Sequence, residues 1–435
     1  MMGESVLETL SANVRAMRKW GVQGGTSILD QGVLSGTNFV INILLARWLS
    51  PAGYGAFAVA FALFLFLSGF HNAVILEPMS VFGPAAYADH LRAYFRGQLR
   101  ISLVSTSLGG LVLVGVGFAL GRPGGVIDPA VGSALTGVGV AMPLILFMWL
   151  TRRYAYVAHD PPRALAGSCL YMFGALPAVV LLRQAGALSP FSGYMIMGGA
   201  SLVSALYVSR IWLLGGPAQS DRHVSDWRRL VKEQWGYGKW ISAASVLSAA
   251  GGQVQTVMLG FIALSGAAVL RAMQNFTLPM AQAITSISIL GLPFLAESYG
   301  RGEVRGVVRR GMVLTLLLFG AALAYEVVLL ALHQPLELLL YEGKFAEYSW
   351  MIPLLGLVPV FSAFSTGYSL ILRAARWPEH YLVVAGVAAA GGLTSMIVFT
   401  RAWGVWGTAA SVSMSYLCGL VATYALFRHW SKSTA

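Results

Sequence analysis

Asp30, His71, Glu77 and Glu326 are ionisable side chains set inside long apolar stretches of this 435-residue chain. Such groups are costly in a low-dielectric surrounding, and carrying a proton or an ion is the usual reason to keep them. At 1.5 Å of rise per residue, Asp30 and His71 fall at similar depth on two helices of opposite direction. As a pair they would make a proton-coupling element. Alternatively, Asp30 bonds to near neighbours such as Ser27 or Gln31, and His71 is a packed polar residue. Glu77 precedes Pro78, which frees a backbone carbonyl one turn earlier. That reads either as a hinge bearing a carboxylate or as an interfacial glutamate. Glu326 is the deepest carboxylate of the second half. Ion coupling or ligand binding competes there with a structural bond to Gln253 or Gln255.

Arginine is the other chemistry on offer, because its planar fork suits phosphate oxygens. Arg47 and Arg271 stand at one edge of the apolar stretches, at roughly equivalent places in the two halves of the chain. Arg152 and Arg153 stand at the other edge and could receive an anionic headgroup there. Snorkelling to lipid headgroups is the competing use for each. Asn38, Asn42, Gln253, Gln255, Gln274 and Asn275 add neutral hydrogen-bonding groups that could line a polar cavity or join helices. There is no phosphate loop, metal-ligand spacing or catalytic constellation, so the expectation is a protein that is not an enzyme and has no bound cofactor, an ion gradient aside.

The elements that must position these residues are transmembrane helices. Twelve apolar segments run at 26–46, 55–82, 102–120, 133–150, 164–182, 191–214, 239–264, 270–296, 312–333, 350–372, 381–400 and 403–427. Most reach the ~20 residues that a helix needs to cross ~30 Å of hydrocarbon, and helix is the open-chain way to satisfy backbone groups in lipid. Of 29 Lys and Arg, all but Arg47, Arg122, Arg183, Arg271, Lys344 and Arg401 fall in every second connection or in the tails. The positive-inside rule makes that the cytoplasmic face, with both termini on it.

Composition agrees: 57% of residues are hydrophobic and 11% charged, outside the soluble globular range. The net charge of +12 follows from the same topology rule and gives no reason to invoke nucleic acid. Cys169 and Cys418 lie inside apolar segments and read as small core residues. Residues 1–20 carry no apolar run of signal-peptide type. Val6, Leu7, Leu10, Val14 and Met17 recur at helical spacing, as in a short interfacial helix. Residues 215–238 read as a linker with a second amphipathic helix. It presents Trp227, Leu230, Val231 and Trp235 on one face and Arg228, Arg229 and Lys232 on another.

The chain repeats itself. A shift of 215 residues lays Trp20-Gly21 on Trp235-Gly236, Gly36 on Gly251, Leu49-Ser50 on Leu264-Ser265, Phe61 on Phe276 and Pro78 on Pro293. Six spans per half is an even number, so the halves run parallel about an axis along the membrane normal. The expected architecture is all-α, two six-helix bundles. An N-lobe covers 21–214 and a C-lobe 239–427, with a tail at 428–435. Two equivalent lobes suit a rocking transporter better than a channel or an enzyme.

The stretch from Asn38 to Ala58, with Ala46-Arg47, Leu49-Ser50-Pro51 and Tyr54-Gly55-Ala56-Phe57, resembles the polysaccharide transport family of bacterial flippases. That family belongs to the multidrug/oligosaccharidyl-lipid/polysaccharide exporter superfamily. Leu270 to Pro279 and Tyr341 to Ala346 resemble its second half. The resemblance runs from about Gly21 to Phe427. It implies translocation of an undecaprenyl pyrophosphate-linked oligosaccharide across the inner membrane, for O-antigen, capsule or exopolysaccharide. It implies membrane lipids, and a polysaccharide polymerase or glycosyltransferases, as partners; for such a cargo Arg47 and Arg271, by their place at the edge, are the expected pyrophosphate contacts. The rival readings are a multidrug antiporter of the same superfamily, the lipid II flippase type, and a polytopic glycosyltransferase or ligase. For that last one only Glu342 and Glu347 could supply an acidic pair.

Overall fold

The computed structural model describes residues 2–122, 128–214, 227–375, 377 and 380–434, and among them every regular element is helical. The N-terminal half holds α1 (Met2–Trp48), α2 (Pro51–His71), α3 (Glu77–Ala86), α4 (Leu91–Leu120), α5 (Pro129–Val157), α6 (Pro161–Gln184) and α7 (Pro190–Leu214). The C-terminal half holds α8 (Trp227–Ile262), α9 (Leu264–Asn275), α10 (Leu278–Gly300), α11 (Val304–Tyr341), α12 (Met351–Ala374) and α13 (His380–Thr434). The starts follow local chemistry. Proline stands in the first turn of α2, α5 and α6, and Ser50, Asp128 and Asp160 cap those helices with side-chain oxygens.

Among the described residues, nine helices are long and apolar enough to cross a membrane, or ten if the pair Trp227–Ala249 and Gly251–Ile262, bent by 48°, is one span. Two features bring this to the twelve crossings expected. Helix α13 is a hairpin folded at Gly404 (φ 55°, ψ −128°), and its arms pack antiparallel, with Ser415 donating to the Ala388 carbonyl at 2.8 Å. Helices α9 and α10 form one broken span. Pro279 lacks the N–H that would have bonded the Asn275 carbonyl, and the neighbouring Phe276 carbonyl accepts from Tyr325 at 2.7 Å. Residues 2–20 continue in the same helix as the first span. In the linker, 215–226 lie outside the described residues, and from Trp227 onward the chain is already α8.

The two halves use the same neighbour scheme. In the first, α1 packs on α6, α4 on α5, and α5 on α2 and α7; in the second, α8 packs on α13, α11 on α12, and α12 on α10 and α13. Helices α5 and α12 each carry an interior proline, Pro143 and Pro359. The chain is thus an all-helical, multi-pass membrane protein of two lobes.

Candidate functional site

The lobes meet along α2, which packs on both α8 and α9. Glycines let the backbones close. A Cβ at Gly55 would sit 1.9 Å from the Leu264 carbonyl oxygen, at Gly260 2.2 Å from Val59, and at Gly238 2.6 Å from the Ala73 carbonyl oxygen. Small residues serve helix contact in this way where lipid offers no hydrophobic drive. Ala73 lies in the π-helical segment Asn72–Leu76, one turn before Pro78. The ring has no N–H to give, and the helix widens there. The other possible seam is different. Helix α1 meets α9 but hardly touches α10, so the lobes part on that side.

At the end of the bundle away from the basic connections, a clasp joins the lobes. Arg47 at the close of α1 pairs with Glu342. Lys344 donates to the carbonyls of Ala46, at 2.7 Å, and of Leu49. These are orphan carbonyls at a helix C-terminus, where a cation is also favoured by the helix dipole. The reach of Lys344 depends on a tight turn, with Glu342 at φ 57° and Gly343 at φ 79°. Arg47 holds the Glu342 carboxyl below its ordinary value by hydrogen bond and charge. Burial pulls the Lys344 ammonium down from its own.

Beneath the clasp lies Arg271. The expected span began at Leu270, which put Arg271 at the membrane edge. Helix α9 begins at Leu264 after a one-residue turn, so Arg271 stands two turns in, about 10 Å along the helix. Its guanidinium lies 4.7 Å above the centroid of Phe61 on α2. Tyr54, Tyr194 and Tyr341 interact with it electrostatically. Among the described residues no carboxylate pairs with it, and its Nε has no hydrogen-bond partner. Asn275, one turn further along α9, donates to the hydroxyls of Tyr54 and Tyr341 at 3.2 Å each. The tyrosines were not chosen from the sequence as site residues, although Tyr54 and Tyr341 lie in the stretches that carry the family resemblance.

Asp30 is fully buried, and its partner is not His71. Arg152 of α5 donates to Oδ2 at 2.5 Å, and Tyr156 of α5 and Ser168 of α6 also donate to the carboxylate. The pairing of Asp30 with His71 is therefore corrected: His71 bonds Ser102 on α4 at 2.9 Å. Depth along two helices says nothing about azimuth, and the two residues face different neighbours. Arg152 is consumed by Asp30. Arg153 reaches Ser80 on α3 at 3.4 Å. Glu77 is half-buried at the start of α3, close to Tyr237 of α8.

The neutral residues divide. Asn38 accepts from Tyr171 at 2.8 Å and so joins α1 to α6, whereas Asn42 donates to the Asn38 carbonyl at 2.9 Å within α1. Gln255 is buried beside Gly392 of α13, inside the C-lobe. Gln253 and Gln274 are half-buried. Glu326 is half-buried against Gly356 of α12, where a Cβ would meet its Oε2 at 1.8 Å, and that oxygen has no partner. The bond to Gln253 or Gln255 does not form.

No family model matches the chain, and no curated protein matches it in sequence. Solved structures do match in shape. An inward-facing multidrug resistance MATE family transporter of the MOP superfamily superimposes with a TM-score of 0.79 at 14% identity, over 93% of this chain and 95% of that one. The lipid II flippase MurJ in an inward closed conformation gives 0.71 at 13% identity, over 93% of this chain and 87% of that one. An outward-facing MATE family transporter gives 0.66 at 13% identity, over 95% of each chain. The chain has the fold of the MOP superfamily transporters.

Proposed function

We propose that this protein translocates a lipid-linked oligosaccharide, carried on undecaprenyl pyrophosphate, across the bacterial inner membrane by alternating access. The observation that carries the reading is Arg271. A guanidinium inside the inter-lobe seam, ringed by tyrosine hydroxyls and without a counter-ion, suits an incoming phosphate. The tyrosines and Asn275 offer hydrogen bonds to sugar, and the parted seam between α1 and α10 leaves the polyprenyl tail in lipid. Moving such a headgroup through bare hydrocarbon would cost several kcal/mol for each unpartnered polar group. The clasp of Arg47, Glu342 and Lys344 closes the periplasmic end while the headgroup enters from the cytoplasmic side.

An ion-coupled multidrug antiporter is the second reading, favoured by the unpartnered Oε2 of Glu326. A cationic drug would want a free carboxylate in the seam, and the seam presents a cation instead. The deciding experiment uses a deletion strain. Lipid-linked oligosaccharide should accumulate on the cytoplasmic leaflet and surface polysaccharide should vanish. The intact gene should reverse both, and Arg271→Gln, present at normal level in the membrane, should not. Normal surface glycan with raised sensitivity to cationic drugs would overturn the flippase reading in favour of the antiporter.

A further inference from the structure

A cavity of about 510 Å³ lies in the C-lobe, between α10, α12 and the α13 hairpin, with Arg373 and His380 in its wall. It is separate from the Arg271 seam and nearer the basic end of the bundle. Its size is that of a small-molecule site, ~300–1,000 Å³. Its wall is rich in hydroxyls, among them Thr285, Ser288, Ser365, Thr366, Ser369 and Thr423.

The hydrogen bonds decide what these hydroxyls can offer. Thr285 donates to the Ala281 carbonyl at 2.9 Å, Ser288 to Ile284 at 2.6 Å, and Ser365 to Ser362 at 3.0 Å. Thr366 donates to Ser362 at 2.7 Å and Thr423 to Gly419 at 2.8 Å. A hydroxyl has one hydrogen, and each of these five has spent it on its own helix. What remains toward the cavity is lone pairs. His380 points the same way: its Nδ1 lies against the Trp377 carbonyl, which can only accept, so Nδ1 carries the hydrogen. In the neutral ring, Nε2 then accepts from Ser369 at 3.3 Å. The wall is therefore acceptor-rich, with the Ser362 and Tyr381 hydroxyls as its neutral donors, and no carboxylate is among its described lining residues. The strong donor is Arg373, exposed at the rim, its guanidinium 5.6 Å above the Tyr381 ring.

A ligand complementary to this wall brings many O–H donors and one anionic group. We propose that the C-lobe cavity is a second binding site, for a glycosyl phosphate: sugar hydroxyls donate to the acceptor wall and the phosphate takes the Arg373 fork. The same chemistry comes from a free sugar phosphate or from a lipid-linked one. The proposal goes beyond the flippase reading and does not depend on Arg271.

The test is calorimetric titration of the full-length protein in nanodiscs with glucose 1-phosphate, farnesyl phosphoglucose, glucose and inorganic phosphate. Both glycosyl phosphates, or one of them, should bind at least tenfold more tightly than glucose or phosphate, and the tighter of the two identifies the source. Arg373→Gln should weaken that binding at least tenfold. Ser365→Leu, which puts an apolar side chain into the cavity in place of an acceptor, should weaken it at least tenfold. Thr366→Val, which removes an acceptor without changing the volume, should also weaken binding and keeps the test available if Ser365→Leu does not fold. Arg271→Gln should at most remove a separate component of the heat and keep the component that Arg373→Gln weakens. Phosphate binding as tightly as glucose 1-phosphate would overturn the proposal, as would absence of heat with every probe. Binding lost in Arg271→Gln but kept in Arg373→Gln would place the ligand in the seam and overturn it too.

Discussion

The two lobes share one helix scheme and fill it differently. In the N-lobe, α5 is packed: 72% of its apolar window is buried, against 44% for its counterpart α12. Phe147, Leu150 and Tyr154 fill the interior along α5, whereas α12 turns Ser365, Thr366 and Ser369 to a cavity. The buried carboxylate of the N-lobe, Asp30, has three partners. In the C-lobe the buried Glu337 accepts from the Phe345 N–H at 2.8 Å, and the half-buried Glu326 keeps an oxygen with no partner. One lobe is built as a closed body and the other keeps polar space inside. A duplicated fold thus supplies a rigid half and a half with room for a ligand or a proton.

The sharpest way to break this contrast is at Asp30. Asp30→Asn leaves Arg152 buried with no opposite charge, and removing one partner of a buried pair costs ~3–5 kcal/mol. Arg152→Met should cost a similar amount. The double variant Asp30→Leu, Arg152→Met should regain much of the loss, since neither charge is then stranded. Denaturant unfolding of the protein in nanodiscs reads all three. If the double variant is as unstable as the worse single one, the pair does not hold the N-lobe in the way its geometry implies.

The clasp draws on the two lobes unequally, since the N-lobe gives Arg47 and bare carbonyls and the C-lobe gives Glu342 and Lys344. Paired, the Glu342 carboxyl is held below its ordinary value; parted, it returns to it. A group depressed in the closed form favours that form at pH above its ordinary value and loses the effect as pH falls through the lowered one. Spin labels at Ala187 and Glu347, one on each lobe at the clasped end, should therefore report a constant distance between pH 8 and pH 6. A longer distance should grow in below about pH 4.5, the carboxylate range. Glu342→Gln should show the longer component already at pH 7 and lose the pH dependence. A distance that ignores both changes would mean that Lys344 on the α1 carbonyls closes this end without Glu342.

How much of this was legible in one sequence differs between fold and site. Hydropathy is a local property, so the apolar runs, the alternation of basic connections and the repeat gave twelve crossings and two lobes before any contact was known. The break at Phe276 escaped because the apolar run continues through it. The start of α9 at Leu264 is hidden in the same way, because the preceding apolar run continues to that residue, and a span taken to begin at Leu270 puts Arg271 at the edge. Pairings are long-range: Asp30 and Arg152 lie on different helices, and depth along each helix could suggest His71 as readily. The hydroxyl cavity was invisible for another reason. Serine and threonine bonded to their own helix pass as members of an apolar span, and only the packing of α10, α12 and α13 shows that they face a common space.

Smaller effects sharpen the comparison. Tyr171→Phe removes a hydroxyl that donates to Asn38 between α6 and α1. Loss of one such bond costs ~1 kcal/mol, and the same unfolding measurement should register it. A loss near zero would mean that the packed N-lobe owes its tightness to shape alone, with its polar cross-links contributing nothing of their own.

The smallest stability effect, and the one that separates the lobes most cleanly, is expected at Glu326. A partly buried carboxylate with an oxygen that nothing bonds has no attraction to lose. Glu326→Gln keeps the shape that fits the notch at Gly356 and removes the charge, so stability should change by less than about 0.5 kcal/mol, within the range of substitutions that break no packing or pairing. Asp30→Asn makes the same chemical change, carboxylate to amide, and should cost several times more. If Glu326 takes up and releases a proton during the cycle, the variant should also transport at a rate independent of pH, measured in proteoliposomes with an imposed proton gradient. A pH dependence that survives intact would remove Glu326 from any coupling role and leave its unpartnered oxygen as a feature of packing. A stability loss as large as that of Asp30→Asn would mean that the carboxylate is held by something the two lobes have in common, and the contrast between a closed half and an open one would fail at this residue.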